Sequence, residues 1–398
     1  MKSADKGDFK VKIAFVIHDI NKEGGQERYC AELIERLSKS HEVHIFAVTM
    51  RDLEIGGSVS FHKVPVISSI TLLKSFLFFI ISSWMLKRYS FDIIHGNGGN
   101  CLGANIITTH YCHKGWGTAV RLFLHDTACC LKKVYRSIVM KMDSIMEKYI
   151  YSSKKYKLII ANSIKTKKEL MEYYSISEEL IRVIYFGVDT EQFNPSNRDT
   201  YRVDLRNAFK IPDDACLLLF VGAMERKGLF YLLQSLRLLK KMLVPEIFNR
   251  GKVFLIIAGK GDEEYFRREA KILGVERMIR FAGQRNDIYK YYASADVFIM
   301  PTLYEPFGMA VTEAMASGLP VVTSRQAGVS EIITEGEDGI LLDNPADPEE
   351  IAHRIIPLIL DKDLRLKIGQ KARKKVESMS WDKMAEETVN LYEEIKEI

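Results

Sequence analysis

Several common signatures are missing from this 398-residue sequence. Its six cysteines (Cys30, Cys101, Cys112, Cys129, Cys130, Cys216) form no C-x-x-C pair and have no histidine at zinc-ligand spacing. A zinc site or redox dithiol is therefore not expected, and buried thiols in a reducing compartment are. No apolar run approaches the ~20 residues that span a bilayer. The nearest, residues 64–86, is broken by Lys74, and its longest uninterrupted uncharged run is residues 75–86. Such a stretch reads as a buried helix of the first domain or as a helix lying on a membrane surface. The opening MKSADKGDFKVK is charged and has no apolar h-region, so a secretory signal is not expected. The expected setting is cytoplasmic, peripheral on the inner face of the plasma membrane if residues 64–86 meet lipid. A G-x-G-x-x-G fingerprint is absent as well: after Gly259 and Gly261, Glu264 stands where the third glycine should be. That argues against a nicotinamide-dependent dehydrogenase.

What is present is an ordinary globular composition, 47% hydrophobic and 27% charged. The length suits two domains. Charge is uneven: residues 1–185 carry 27 Lys/Arg against 18 Asp/Glu, and residues 114–170 alone carry 13 against 4. A basic patch of this kind can meet an anionic membrane or nucleic acid, or can simply be a solvated helical face.

Short β-rich apolar runs alternate with helical periodicity in both halves. In the first half the runs are residues 12–18 (KIAFVIH), 41–48, 92–95, 105–109 and 158–161. A Gly24-Gly25 turn follows the first run, and a helix pattern then runs through Tyr29, Leu33, Ile34 and Leu37. The second half restarts the pattern, with strands expected at 216–221, 253–258, 279–282, 297–300 and 320–323, and helices between them. Alternation of this kind implies parallel sheets covered on both faces. The polar stretch 192–206, containing Pro195, reads as the region of the domain boundary. The expected domains are 1–186 and 187–378, with a final helix, 379–398, returning to the first. Two doubly wound domains facing one another would line a shared cleft with their strand C-termini.

The most informative segment is residues 293–328, ASADVFIMPTLYEPFGMAVTEAMASGLPVVTSRQAG. Glu305 lies in a turn after a strand, and Glu313 lies eight residues later, about one and a half turns into a helix beginning near Phe307-Gly308. A helix start offers free N–H groups and a positive dipole end, which suit phosphate, and Gly308 permits close backbone approach. Two carboxylates flanking such an anion site can bind sugar and ribose hydroxyls.

With GGQERYCAEL, YFGVDTEQFNP, FVGAMERKG, IAGKGDEE and FAGQRNDIYKYYASADVFIMP in the same order, the chain resembles the large retaining E-x7-E glycosyltransferase family, family 4. That family includes lipopolysaccharide-core glucosyltransferases, mannosyltransferases and sucrose synthases. The resemblance implies the GT-B fold, α/β with two Rossmann-like doubly wound domains. It also implies a nucleotide-sugar donor and a glycan or lipid-linked acceptor, with UDP-glucose favoured and GDP-mannose second. Glu305 would contact the transferred sugar, Glu313 the ribose, and Arg226 and Lys227 the diphosphate. Phe307, Gly308 and Met309 would complete the donor site at the helix start. Gly24 and Gly25 correspond to a phosphate-approaching loop, and Gly283, Gln284 and Arg285 to the nucleobase loop. His110 corresponds to the histidine that faces the reaction centre, with His95 and His113 as weaker candidates. Glu305, His110, Arg226 and Lys227 are thus the expected catalytic group. One departure is Ala223, where many members carry arginine.

The one D-x-D, Asp361-Lys362-Asp363, lies in a charged helical segment far from any strand end, so no metal or other cofactor is expected and the cations must neutralise the diphosphate themselves. The other partners expected are the acceptor and an anionic membrane surface, with no nucleic acid. By analogy the transfer proceeds on the front face. Rival readings are a non-catalytic nucleotide-sugar-binding protein, and an epimerase or phosphorylase on the same architecture.

Overall fold

The computed structural model describes residues 10–66, 71–123, 130–243 and 252–397. The chain divides into two compact units. The first runs to Gly117, resumes up to Phe186 and ends with everything from Trp381; the second holds Gly187–Ser380 and a short stretch beginning at Thr118.

In the first unit, β1 (Lys12–Val16), β3 (Glu42–Ala47), β5 (Val59–Lys63), β6 (Ile93–Asn97), β7 (Ile106–Thr109), β8 (Leu158–Ala161) and β9 (Ile181–Val183) form one sheet. Its order is β5-β3-β1-β6-β7-β8-β9, and every pairing is parallel. Two short strands, β2 (Asp19–Ile20) and β4 (Thr49–Met50), pair beside it. The helix Gly25–Leu37 buries Tyr29, Leu33, Ile34 and Leu37, the periodic set seen in the sequence. The last helix, Trp381–Glu397, belongs to this unit. It is tied there by Arg36 to Asp382 at 2.6 Å and Arg182 to Glu394 at 2.6 Å.

The second unit's sheet contains β10 (Cys216–Val221), β11 (Val253–Ala258), β12 (Ile279–Gly283), β13 (Val297–Met300), β14 (Val321–Ser324) and β15 (Ile340–Leu342). The order is β12-β11-β10-β13-β14-β15, again all parallel. Both faces are covered, which is why the strands read as unbroken apolar runs. Leu218, Phe220, Leu255 and Ile257 enter the core on one face, and Leu217, Leu219, Phe254 and Ile256 enter the core on the other. The period-two alternation of side chains produces this division.

One part of the polar stretch 192–206 departs from its reading as a boundary. Asn197–Ala208 is a helix packed against the helix Ile288–Ser294. It carries little apolar signal because arginines hold it. Arg198, Arg202 and Arg206 converge on the buried Asp296 at 2.8, 3.0 and 2.5 Å. The fully buried Arg206 also donates to the carbonyls of Ser294, Pro212 and Ala215. Burial opposes the Asp296 charge, yet Arg202 and Arg206 hold its carboxyl below the usual range.

Removing one partner of a buried ion cluster leaves uncompensated charge and costs about 3–5 kcal/mol. Asp296→Ala is expected to lower the melting temperature accordingly. Because the folded carboxyl titrates below its unfolded value, its contribution is complete above about pH 4 and is lost as pH falls further. Thermal melts of wild type and variant should therefore converge on acidification.

Candidate functional site

The crossover after β10 runs to β11 on one side, and that after β13 runs to β14 on the other. Between them lies a topological switch point, where two loops part and leave a crevice beyond the strand C-termini. Residues 222–228 leave β10 and residues 301–308 leave β13 at this point.

Glycine lets these loops approach each other. Gly228 has φ +80°, and a Cβ there would stand 1.9 Å from the Pro301 carbonyl oxygen. Lys227, next in the loop, is buried, and its ammonium pairs with the Glu305 carboxylate across the crevice. Arg226 is partly exposed beside it. The Glu305 backbone is fixed by two hydrogen bonds to the loop after β14: its N–H donates to Gln326 at 3.2 Å, and its carbonyl accepts from Gly328 at 2.9 Å.

Gly308, at φ +116°, caps the helix Met309–Ala316. Its missing side chain leaves space otherwise filled against Val329 and Glu305. Met309 opens the helix, half-exposed, whereas the Phe307 ring is buried and offers a ligand only its backbone. Glu313 accepts a hydrogen bond from the Tyr292 hydroxyl at 3.1 Å. Tyr292 is fully buried and was not among the residues singled out from the sequence, where nothing separates it from the neighbouring Tyr289 and Tyr291.

Gly283 ends β12 at φ +66° and its carbonyl accepts from Gly259 at 2.8 Å. Arg285 is engaged locally, bidentate to Asp287 at 2.9 and 3.0 Å. Gly259 and Gly261 serve close packing, since Cβ atoms there would meet the Gly222 oxygen at 2.0 Å and Met224 at 2.6 Å. The Asp361-Lys362-Asp363 triplet is a helix start: Asp361 accepts from the Leu364 N–H at 2.9 Å. Lys362 lines a 540 Å³ pocket with Ala215, Asp296 and Pro320, the residues just before β10, β13 and β14. The triplet therefore lies at the opposite end of the sheet from Lys227 and Glu305.

In the first unit, Gly24 caps the helix that Gly25 opens, and a Cβ at Gly24 would strike the Glu27 carboxylate at 2.0 Å. His110 follows β7 directly. Its Nε2 bonds the Asn97 side-chain oxygen, which can only accept, so Nε2 carries the proton. Nδ1 is then a bare lone pair, buried and without a partner among the described residues. Burial pushes His110 down to about 3, with His95 adding to the effect, so the ring is neutral near pH 7. His95 is also buried and also falls to about 3. His113 differs: burial opposes its charge, but a 3.1 Å bond to the buried Glu147 holds it above the usual value. Asn97 and Glu147 carried no sequence signal. Among the described residues, no group of three or more His, Cys, Asp or Glu is gathered as a metal cage.

A family model described as glycosyl transferases group 1 matches residues 202–375, and one described as glycosyltransferase family 4 matches residues 23–192. An uncharacterized glycosyltransferase of Methanocaldococcus jannaschii is 30% identical over 93% of this chain and 94% of its own length. The chain belongs to the GT-B glycosyltransferases. The D-inositol 3-phosphate glycosyltransferase of Corynebacterium jeikeium is 33% identical over 60% of this chain, a match spanning 57% of that protein. WaaG, a glycosyltransferase involved in lipopolysaccharide biosynthesis, shares this glycosyltransferase's fold with TM-score 0.78 at 20% identity, covering 96% of this chain and 99% of its own. HepE from Anabaena, solved in complex with UDP and glucose, aligns with TM-score 0.69 at 19% identity over 96% of this chain and 99% of its own.

Gly228→Ala forces a side chain into both a left-handed backbone and a carbonyl. It should destabilise this glycosyltransferase by more than about 1 kcal/mol, read by denaturant unfolding. Gly274→Ala is the control: it has φ +68° but no atom within 4 Å of the added carbon, so it should cost less.

Proposed function

We propose that this glycosyltransferase moves a hexose from a UDP-sugar to a glycan or lipid-linked acceptor, retaining the anomeric configuration and using no metal ion. The observation that carries the reading is the Lys227–Glu305 pair, held across the switch-point crevice beside the Gly308-capped helix start. A departing nucleoside diphosphate accumulates negative charge as its bond to the sugar breaks. Cations and helix-end N–H groups already aimed there stabilise the transition state more than the ground state. Arg226 and Lys227 supply the cations, Glu305 binds the transferred sugar, and Glu313 binds the ribose hydroxyls. UDP is favoured by the likeness to HepE, and a cell-envelope acceptor by the likeness to WaaG.

The step is front-face substitution. The bond from C1 to the phosphate oxygen breaks, the acceptor oxygen bonds C1 on the same face, and its proton passes to the departing phosphate.

A membrane-held acceptor is supported by the first unit. On the helix Thr71–Leu86, Leu73, Phe76, Ile80 and Trp84 form one exposed stripe, while Phe78 and Leu86 are buried. The neighbouring helix Cys130–Ser153 exposes Val134, Ile138, Ile145 and Tyr149 together with Lys141 and Lys148. Apolar side chains flanked by lysines match an anionic bilayer surface. Among the described residues no helix is long and apolar enough to cross one.

Glu313→Ala should weaken UDP binding in calorimetry, whereas Glu305→Ala should chiefly lower turnover; equal loss of UDP affinity in both would reverse these roles. Lys227→Met should lose about tenfold or more in UDP affinity, as expected for a charge-assisted contact. An inverted product linkage by NMR, or activity abolished by EDTA, would overturn the mechanism. In flotation assays the protein should follow vesicles containing phosphatidylglycerol more than neutral ones, and Trp84→Ser with Lys148→Glu should abolish the difference. Equal flotation of the unaltered protein with both vesicle types would remove the membrane reading.

A further inference from the structure

A chain of buried hydrogen bonds begins and ends on the last helix, Trp381–Glu397, and passes beneath His110. The Tyr392 hydroxyl meets His95 Nδ1 at 2.6 Å, and His95 Nε2 meets Thr108 Oγ1 at 2.6 Å. Thr108 Oγ1 lies 3.3 Å from the Tyr29 hydroxyl, which also bonds Thr388. Thr388 Oγ1 donates to the Met384 carbonyl at 2.8 Å. His95, Thr108, Tyr29, Thr388 and Tyr392 are all fully buried.

The terminal carbonyl sets the direction of the whole chain, because it can only accept. Thr388 has one proton and gives it to Met384, so Thr388 accepts from Tyr29. Tyr29 must then accept from Thr108, and Thr108 must accept from His95. Neutral His95 has one N–H, so that proton is on Nε2 and Nδ1 accepts from Tyr392. One arrangement of protons satisfies every hydroxyl. Low dielectric raises the cost of leaving any member unpaired.

Tyr29 connects this chain to His110. Its ring meets the His110 ring edge-on, with centroids 5.1 Å apart and planes at 73°, and it also packs on Phe186. The opposite constraint on His110 is Asn97, which bonds His110 Nε2 on one side and Cys30 Sγ on the other. Asn162 fixes the His110 carbonyl at 2.8 Å.

We infer that Tyr392 and Thr388 are positioning residues for His110, acting through the directed chain Tyr392–His95–Thr108–Tyr29–Thr388. The last helix is thereby part of the first unit's working apparatus as well as of its core. The effect on turnover rests on the proposed place of His110 at the reaction centre; the effect on His110 itself does not.

Tyr392→Phe and Thr388→Val each remove one hydroxyl while keeping shape, and both are tested in the full-length protein. Long-range 1H–15N spectra report histidine tautomers directly. In the unaltered protein His95 should be the Nε2–H form; an Nδ1–H form would overturn the chain's direction. In Tyr392→Phe the His95 tautomer preference should loosen and the His110 ring resonances should move. Turnover should fall about tenfold with KM for the UDP-sugar unchanged, in line with the cost of slight misplacement. Thr388→Val should act in the same sense, and Thr388→Ser should restore both readouts. Unchanged His110 resonances in a folded Tyr392→Phe protein would overturn the inference. Shifted resonances with full turnover would support the positioning and remove His110 from the reaction.

Discussion

Lys227 and Glu305 are both largely withdrawn from water, and each alone would be costly to bury. Their mutual charge makes the arrangement tolerable, but only while the loops after β10 and β13 hold them together. That requirement reaches far into the second unit. It explains why Gly228 must lie against the Pro301 carbonyl. It also explains why the Glu305 backbone is pinned to Gln326 and Gly328. In the proposed reaction, a diphosphate would meet a cation already oriented by Glu305.

The sheet as a whole supplies the setting. Parallel strands send all their C-termini to one edge, so residues scattered from Gly222 to Gly328 meet there without long excursions. The opposite edge is held by a different kind of interaction, the arginine cluster on Asp296. That edge carries the Asp361-Lys362-Asp363 triplet as a helix cap.

Much of this was legible in the residues. The buried strands β10, β11 and β13 announce themselves because both faces are apolar, and the helix at Met309 because a glycine precedes it. The helix Asn197–Ala208 did not, since three arginines replace the usual apolar stripe and their partner lies about a hundred residues away in sequence. Tyr292, Asn97 and Glu147 were invisible for a related reason. Their meaning comes from hydrogen bonds to distant elements, and no local spacing encodes such bonds. The short strands β5 and β9 escaped because edge strands are half-exposed and lack the continuous apolar run.

The return of the last helix to the first unit carries a consequence for synthesis and for engineering. The pocket in which Tyr392 and Thr388 sit is assembled from residues translated early, yet its closing element is made only after Gly187–Ser380 of the second unit. The amino-terminal body therefore waits, with apolar surface uncovered, until the helix beginning at Trp381 has been made. A hybrid enzyme joined at Gly187 would bring in a foreign closing helix, and a working one must carry the original residues from Trp381 onward.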